Sequence, residues 1–223
     1  MPNYDGWEPL RDDRDPQREK TLGSGGQGTV YLARSPQQVE KRRHADARIR
    51  GCLQQITSGH YEATELASCV LELAGPDPVT SLGALKQFKI RADDKDEAAR
   101  AVGRLESEVQ ALEALGDHPA VLKLLHANVA QRFIVTQYHP HGTLDNYLKR
   151  FKGNALAALE AFKPLADGVW QIHRQGMIHR DIKPENIFVT ESGDLVLGDF
   201  GIVFFQEGAE TSGITQNRPM VIT

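Results

Sequence analysis

His179-Arg180-Asp181-Ile182-Lys183-Pro184-Glu185-Asn186 is the stretch on which the reading of this chain turns. It fixes the five polar types of the pattern H-R-D-x-K-x-x-N. At roughly 5% usage for each type, its chance occurrence in a chain of this length is about 10⁻⁴. Asp199-Phe200-Gly201 comes thirteen residues after Asn186 (199 − 186 = 13). Between them, Ile187–Thr190 and Leu195–Gly198 are expected to form a short strand pair, turned at Glu191-Ser192-Gly193-Asp194. A helix cap, a turn residue or a surface ion pair would explain each polar residue taken singly. In this order and spacing those explanations fail.

The residue types suit phosphoryl transfer. Its transition state is loose, so positioning and charge neutralisation carry most of the catalysis. Asp181 is placed to accept the proton of an attacking hydroxyl, or to hold that hydroxyl in line. Lys183 brings a cation beside the transferring group. Asn186 and Asp199 are hard oxygen ligands of the kind Mg²⁺ takes.

Upstream, Gly23-Ser24-Gly25-Gly26-Gln27-Gly28 is a G-x-G-x-x-G. A dinucleotide-binding turn and a phosphate-covering hairpin share that pattern, and the residues after the glycines separate them. The first needs a helix, whose N-terminus meets the pyrophosphate. Here the chain continues Thr29-Val30-Tyr31-Leu32, which is strand-like, so the hairpin is expected. Lys86 lies in the alternating segment Gly83-Ala84-Leu85-Lys86-Gln87-Phe88-Lys89. A lone strand lysine is ordinarily solvated surface. Glu108, on the next helix, gives it a partner that would aim its ammonium at the α/β-phosphates. Lys41 lies closer to the glycines, but Gln37 to Arg43 lacks strand alternation.

The rest of the chain fits around these points. Residues 1–18 are polar and are expected as a loosely held leader. Residues 35–82 carry helical spacing (Ala45, Ile49, Cys52, Leu53, Ile56, then Leu66, Cys69, Val70, Leu73), with breaks at Thr57-Ser58-Gly59 and Gly75-Pro76-Asp77-Pro78. This predicts a helical hairpin between two strands. Its cluster Lys41, Arg42, Arg43, Arg48 and Arg50 is expected as a solvated face. Strands are expected at 84–90, 122–127 and 132–138, and helices at 94–115, 143–150 and 155–175. The helix over 94–115 sets Ala98, Val102, Leu105, Val109 and Leu112 on one side. The 223 residues are 40% hydrophobic and 25% charged, with a net charge of −4, which argues against a nucleic-acid partner. The most apolar run, Leu195 to Phe205, contains Asp199 and is too short to span a bilayer. Cys52 and Cys69 fit neither a metal-ligand spacing nor a disulfide framework. A soluble, cytoplasmic protein without a membrane partner is expected.

Together these motifs resemble the eukaryotic-like (Hanks-type) protein Ser/Thr kinase family over about residues 19–205. The resemblance implies an α+β, protein-kinase-like bilobal fold: a β-rich N-lobe over about 19–138, with the helical insertion at about 35–82, and an incomplete helical C-lobe over about 139–223. It implies ATP and Mg²⁺ as cofactors. Leu22, Val30 and Ala84 would lie above the adenine and Phe188 below it. Thr136 would guard the rear of the pocket, and Gln137-Tyr138-His139 would be the hinge. Leu112, Leu124, His179 and Phe200 resemble the apolar stack of active members. Lys183 is the family's Ser/Thr signature. Arg180 implies switching by phosphorylation of the segment beyond Gly201, at Thr211, Ser212 or Thr215.

Two departures stand out: the insertion, and the end of the chain 22 residues after Gly201 (223 − 201 = 22), before any A-P-E motif. A further C-terminal segment, or another chain, is expected to complete the C-lobe. The expected activity is transfer of the ATP γ-phosphoryl group to Ser/Thr hydroxyls of a protein substrate. The alternatives are an inactive ATP-binding regulatory module and a small-molecule phosphotransferase. Lys183 and Pro184 disfavour the latter.

Overall fold

The computed structural model describes residues 3–57, 63–89 and 95–205. Strands β1 (Glu8–Pro9), β2 (Thr21–Ser24), β3 (Gly28–Arg34), β4 (Leu82–Phe88), β5 (Leu124–Asn128) and β6 (Phe133–Gln137) form one antiparallel sheet. The order is β1-β3-β4-β6-β5, with β2 also on β3. Strand alternation gives the sheet two working faces. Ala33, Leu85, Phe133 and Val135 are buried on one of them. Ile134 and Phe88 on the other face pack with Leu105 and Val109 of α3 (Lys95–Leu115).

The insertion is α1 (Pro36–Thr57) and α2 (Ala63–Ala74), packed on each other between β3 and β4. The expected break at 58–59 lies outside the described residues. One member of the basic cluster departs from the expected solvated face. Arg42 pairs with Asp77 at 3.1 Å and also donates to the carbonyls of Leu73 and Gly75. Arg34 Nε of β3 takes the other oxygen of Asp77 at 2.7 Å, and Gln38 Nε2 adds a bond at 3.0 Å. These contacts root the hairpin beside the ends of β3 and β4.

The leader also differs from expectation. Tyr4 is buried, edge-on to Phe133 with ring centroids 5.3 Å apart. Trp7 packs where a Cβ on Gly83 would fall, 2.7 Å from its ring. Asp5 Oδ2 accepts from His126 Nε2 and Asn128 Nδ2, both at 2.8 Å. Residues 4–9 thus strap the outer sheet face from β5 to β3. The polar average of the segment hides two aromatic residues that the sheet needs to cover its apolar face.

Below the sheet, α4 (Ala155–Arg174) buries Leu165, Gly168 and Ile172 against β7 (Met177–Ile178) and β9 (Leu195–Leu197). Asn154 caps it by accepting from the Ala157 N–H at 3.1 Å. A Cβ on Gly168 would fall 2.8 Å from Ala120 Cβ, which is how closely the helix approaches the chain before β5. The expected helix at 143–150 is a 3-10 helix over Leu144–Phe151. The hairpin β8 (Ile187–Val189) with β9 forms where expected, with Gly193 at φ +89° in its turn. An unforeseen pair, β10 (Phe204–Phe205) with β7, fastens the segment after Gly201 beside the His179–Asn186 run. Among the described residues, no helix is long and apolar enough to cross a membrane.

Candidate active site

α3 carries a buried stripe of Ala101, Leu105, Glu108, Leu112 and Leu115, so an acid sits where an apolar residue is the rule. The stripe starts at Ala101, whereas Ala98 and Val102 are only half-buried. Burying a lone carboxylate is costly, and Lys86 of β4 offsets that cost. Its Nζ lies 3.0 and 2.8 Å from the two oxygens of Glu108 and 3.3 Å from Asp199 Oδ1. Burial pulls the Lys86 ammonium downward, but the charges of Glu108 and Asp199 outweigh it and hold its pKa above the ordinary value. For Glu108 burial dominates and raises the carboxyl, with Lys86 opposing. Two carboxylates around one ammonium leave a net negative charge, which favours retaining the Lys86 proton.

A second cluster lies on the His179–Asn186 run. Asp181 Oδ2 accepts from Lys183 Nζ at 2.7 Å and from Asn186 Nδ2 at 2.8 Å, and Nδ2 also donates to the Asp181 carbonyl at 2.9 Å. The Lys183 hydrogen bond, chiefly, holds the Asp181 carboxyl below its ordinary pKa, and Asp181 in turn raises Lys183. Asp181 is therefore a weak base at neutral pH, better suited to holding a hydroxyl in line than to removing its proton outright.

The backbone joins the two clusters. The Asp181 N–H donates to His179 Nδ1 at 3.3 Å, so Nε2 carries the ring proton and donates to the Gly198 carbonyl at 3.0 Å. The Gly198 N–H donates to the Asn186 carbonyl at 2.8 Å. Arg180 and Asp199 flank this lattice at φ +67° and +59°. That left-handed conformation costs an L-residue about 1–2 kcal/mol, which the hydrogen bonds around it sustain. The His179 ring stands edge-on to Phe200 at 4.7 Å, and Leu112, Leu124 and Phe200 share one apolar cluster. Arg180 lays its guanidinium over the Phe204 ring at 4.1 Å. Thr211, Ser212 and Thr215 lie outside the described residues.

The remaining expected residues line up along β2, β3, β4 and β6. Leu22 to Gly26 are exposed on the glycine hairpin, Gln27 and Val30 are half-buried, and Gly28 is buried. Val30 pairs with Lys86 and Ala84 with Thr136. Thr136 is buried, Tyr138 is half-buried, and Gln137 is exposed where it pairs with Gly83. His139 is buried with Nε2 unpartnered among the described residues, and its ring is 6.0 Å from Phe188. Phe188 fills the space that a Cβ on Gly198 would need.

Residues 78–218, more than half of the chain, match the protein kinase domain family. The chain belongs to the protein kinase family. It is 35% identical over 130 residues to CBL-interacting protein kinase 22 of Oryza sativa subsp. japonica, covering 56% of this chain and 29% of the relative. To Serine/threonine-protein kinase US3 of human herpesvirus 1 (strain 17) it is 40% identical over 102 residues, 43% and 21% of the two chains. To maternal embryonic leucine zipper kinase of Xenopus laevis it is 34% identical over 122 residues, 52% and 18%. The chain spans less than a third of the length of each of these relatives.

Protein kinases use ATP and a divalent metal, and this kinase chain has residues that fit a metal. Both amide hydrogens of Asn186 go to Asp181, which leaves its Oδ1 to act as an oxygen donor, and the bond from the Gly198 N–H to the Asn186 carbonyl brings the chain at Asp199 alongside. Among the described residues, no group of three or more His, Cys, Asp or Glu forms a metal cage. Two oxygen donors without a cage suit a hard ion that completes its shell from water and phosphate.

Sequence reasoning located these polar side chains but missed the leader strap, the Arg42–Asp77 root and the β7–β10 pair. Of these, Tyr4 and Trp7 left a signal, as aromatic residues in an otherwise polar segment.

Proposed function

We propose that this chain is the ATP-binding and catalytic part of a protein Ser/Thr kinase, which transfers the γ-phosphoryl group of Mg-ATP to a Ser or Thr hydroxyl of a protein. In this reading the kinase domain runs from about residue 19 to 223, and the strap at residues 4–9 lies against its N-lobe sheet. The observation that carries the reading is the hydrogen-bonded Lys183–Asp181–Asn186 cluster, tied through Gly198 to the Lys86–Glu108–Asp199 cluster. A hydroxyl acceptor, a metal-ligand pair and a phosphate-directed cation are thereby adjacent, which a loose phosphoryl transition state requires.

In this reading Asp181 holds the substrate hydroxyl and Lys183 offsets charge on the transferring group. Asn186 and Asp199 would hold Mg²⁺, which would offset the negative charge of the phosphates. Lys86, aimed by Glu108, takes the α/β-phosphates, and the Gly23–Gly28 backbone covers them. Leu22, Val30, Ala84, Thr136 and Phe188 enclose the adenine, with Gln137-Tyr138-His139 as hinge. Ordinary globular composition, with a Cys52 and Cys69 spacing that fits no disulfide framework, supports a cytoplasmic setting.

The test is transfer of radiolabelled phosphate from ATP to protein by the purified chain and by the product of its complete reading frame. Asp181→Asn is expected to lower the rate on the order of 10²–10⁴. Equal rates in the two proteins would remove Asp181 from the chemistry.

A further inference from the structure

Residues 21–26 of the glycine hairpin are exposed, whereas Gln27 at its turn is half-buried. Its side chain reaches the charged cluster across the cleft. Gln27 Oε1 lies 3.6 Å from the point that a Cβ on Gly201 would occupy, and Asp199 Oδ1 and Glu108 Oε2 lie 3.4 and 3.5 Å from that same point. Oxygens from the hairpin, from α3 and from the Asp-Phe-Gly segment therefore surround one spot. Lys86 Nζ reaches the two carboxylates there at 2.8 and 3.3 Å.

The hairpin aims this side chain. The Gln27 carbonyl accepts from the Lys89 N–H at 3.0 Å, and the Gly25 N–H donates to the Gly28 carbonyl at 2.9 Å. Gly28 is clamped against β4, where a Cβ would fall 2.2 Å from the Gln87 carbonyl oxygen. Among the described residues, the Gln27 amide has no hydrogen-bond partner, although it stands beside two carboxylates and an ammonium. An amide offers two donors and an acceptor without net charge. It can therefore approach a phosphate at a point where the two neighbouring carboxylates would repel one.

We propose that Gln27 is a positioning residue that reads the terminal phosphate of the bound nucleotide, its side-chain amide donating to a γ-phosphate oxygen. The inference rests on the kinase reading above. Gln27 lies at the Asp199 end of the site, away from Ala84 and Thr136 at the adenine end, so its contact falls on the phosphate that is transferred. It thereby distinguishes ATP from ADP through a side chain, in addition to whatever the glycine backbone does for the inner phosphates.

The experiment measures dissociation constants of Mg-ATP and Mg-ADP by calorimetry for the unmodified chain, Gln27→Met and Gln27→Glu, with the melting temperature of each nucleotide-free protein. Gln27→Met keeps the length and removes the donors. It is expected to weaken Mg-ATP about 10-fold and Mg-ADP less than about 2-fold, with the melting temperature unchanged. Gln27→Glu adds a third carboxylate at the spot and is expected to weaken Mg-ATP further. Equal losses for both nucleotides, or no loss for ATP, would overturn the assignment. If the unmodified chain bound neither nucleotide, the kinase reading would fall, and this inference with it.

Discussion

Replacing Glu108 by Gln tests the centre of the site most sharply, because it removes one charge and almost no volume. Glu108 is 3% exposed and its oxygens lie 2.8 and 3.0 Å from Lys86 Nζ. At an effective dielectric near 20, unit charges at that separation attract by about 6 kcal/mol. Most of this attraction offsets the desolvation of the two ions. The net cost of breaking a buried pair is about 3–5 kcal/mol. Two features of this site lower it. The Gln carbonyl still accepts one hydrogen bond, and Asp199 Oδ1 remains 3.3 Å from the ammonium. About 2 kcal/mol is therefore expected, a fall of about 4–8 °C in melting temperature for a protein of this size. The effect on rate should be larger than the effect on folding. Without the Glu108 charge, Lys86 swings toward Asp199 and away from the phosphates, and a displacement near 1 Å can cost on the order of 10² in kcat/KM. Calorimetric melting and steady-state kinetics on the same preparation give both numbers. An unchanged melting temperature together with unchanged kcat/KM would refute the reasoning, since it would mean that the pair neither holds α3 nor aims the lysine.

The same geometry sets further outcomes. Gly28→Ala is expected to destabilise the chain by about 1–3 kcal/mol and to abolish nucleotide binding, because its Cβ would meet fixed backbone of β4 at 2.2 Å; Gly26→Ala, with nothing within 4 Å, should melt like the unmodified protein. His179 and His139 are both held below the ordinary histidine pKa by burial. The unfolded chain therefore takes up protons below pH about 6.5 that the folded chain resists, so stability is full above that value and declines as pH falls through it. Urea midpoints that rise between pH 7 and pH 5.5 would contradict this. Asp181, held low by Lys183, stays ionised through the same window, so an acid limb of the rate near pH 6 is not its titration. Asp77→Asn loosens the root of the insertion, where Arg34 and Arg42 converge on one carboxylate. Faster hydrogen exchange in α1 and α2 is expected, with the Mg-ATP dissociation constant kept within about twofold; protection equal to that of the unmodified chain would show that the ion pairs do not anchor the hairpin.

Much of the fold can be read in the sequence because its signals are local. The glycines before Thr29-Val30-Tyr31 predict the β2–β3 hairpin, and helical spacing predicts α1, α2, α3 and α4 within a few residues of their ends. The His179–Asn186 run places Asp181, Lys183 and Asn186 within five positions, so their mutual contacts need little more than one turn of chain. Glu108 is the informative intermediate case. An acid inside the apolar stripe of α3 requires a cation, and Lys86 on the preceding strand is an obvious partner. Leu144–Phe151 folds as a 3-10 helix where the spacing predicts an ordinary one, because both helical types share nearly the same apolar spacing over so short a run.

By itself, then, the sequence determined the chemistry available to this protein and the local elements that carry it. Tertiary structure alone decided which distant groups meet. Lys86 and Asp199 are 113 residues apart, Asp5 and Asn128 are 123 apart, and Arg34 and Asp77 are 43 apart. Periodicity and turn chemistry reach over a few residues, whereas these contacts depend on the order of strands in the sheet and on which faces must be buried. That is why the leader became a strap over Phe133, and why Gln27 came to rest opposite Asp199.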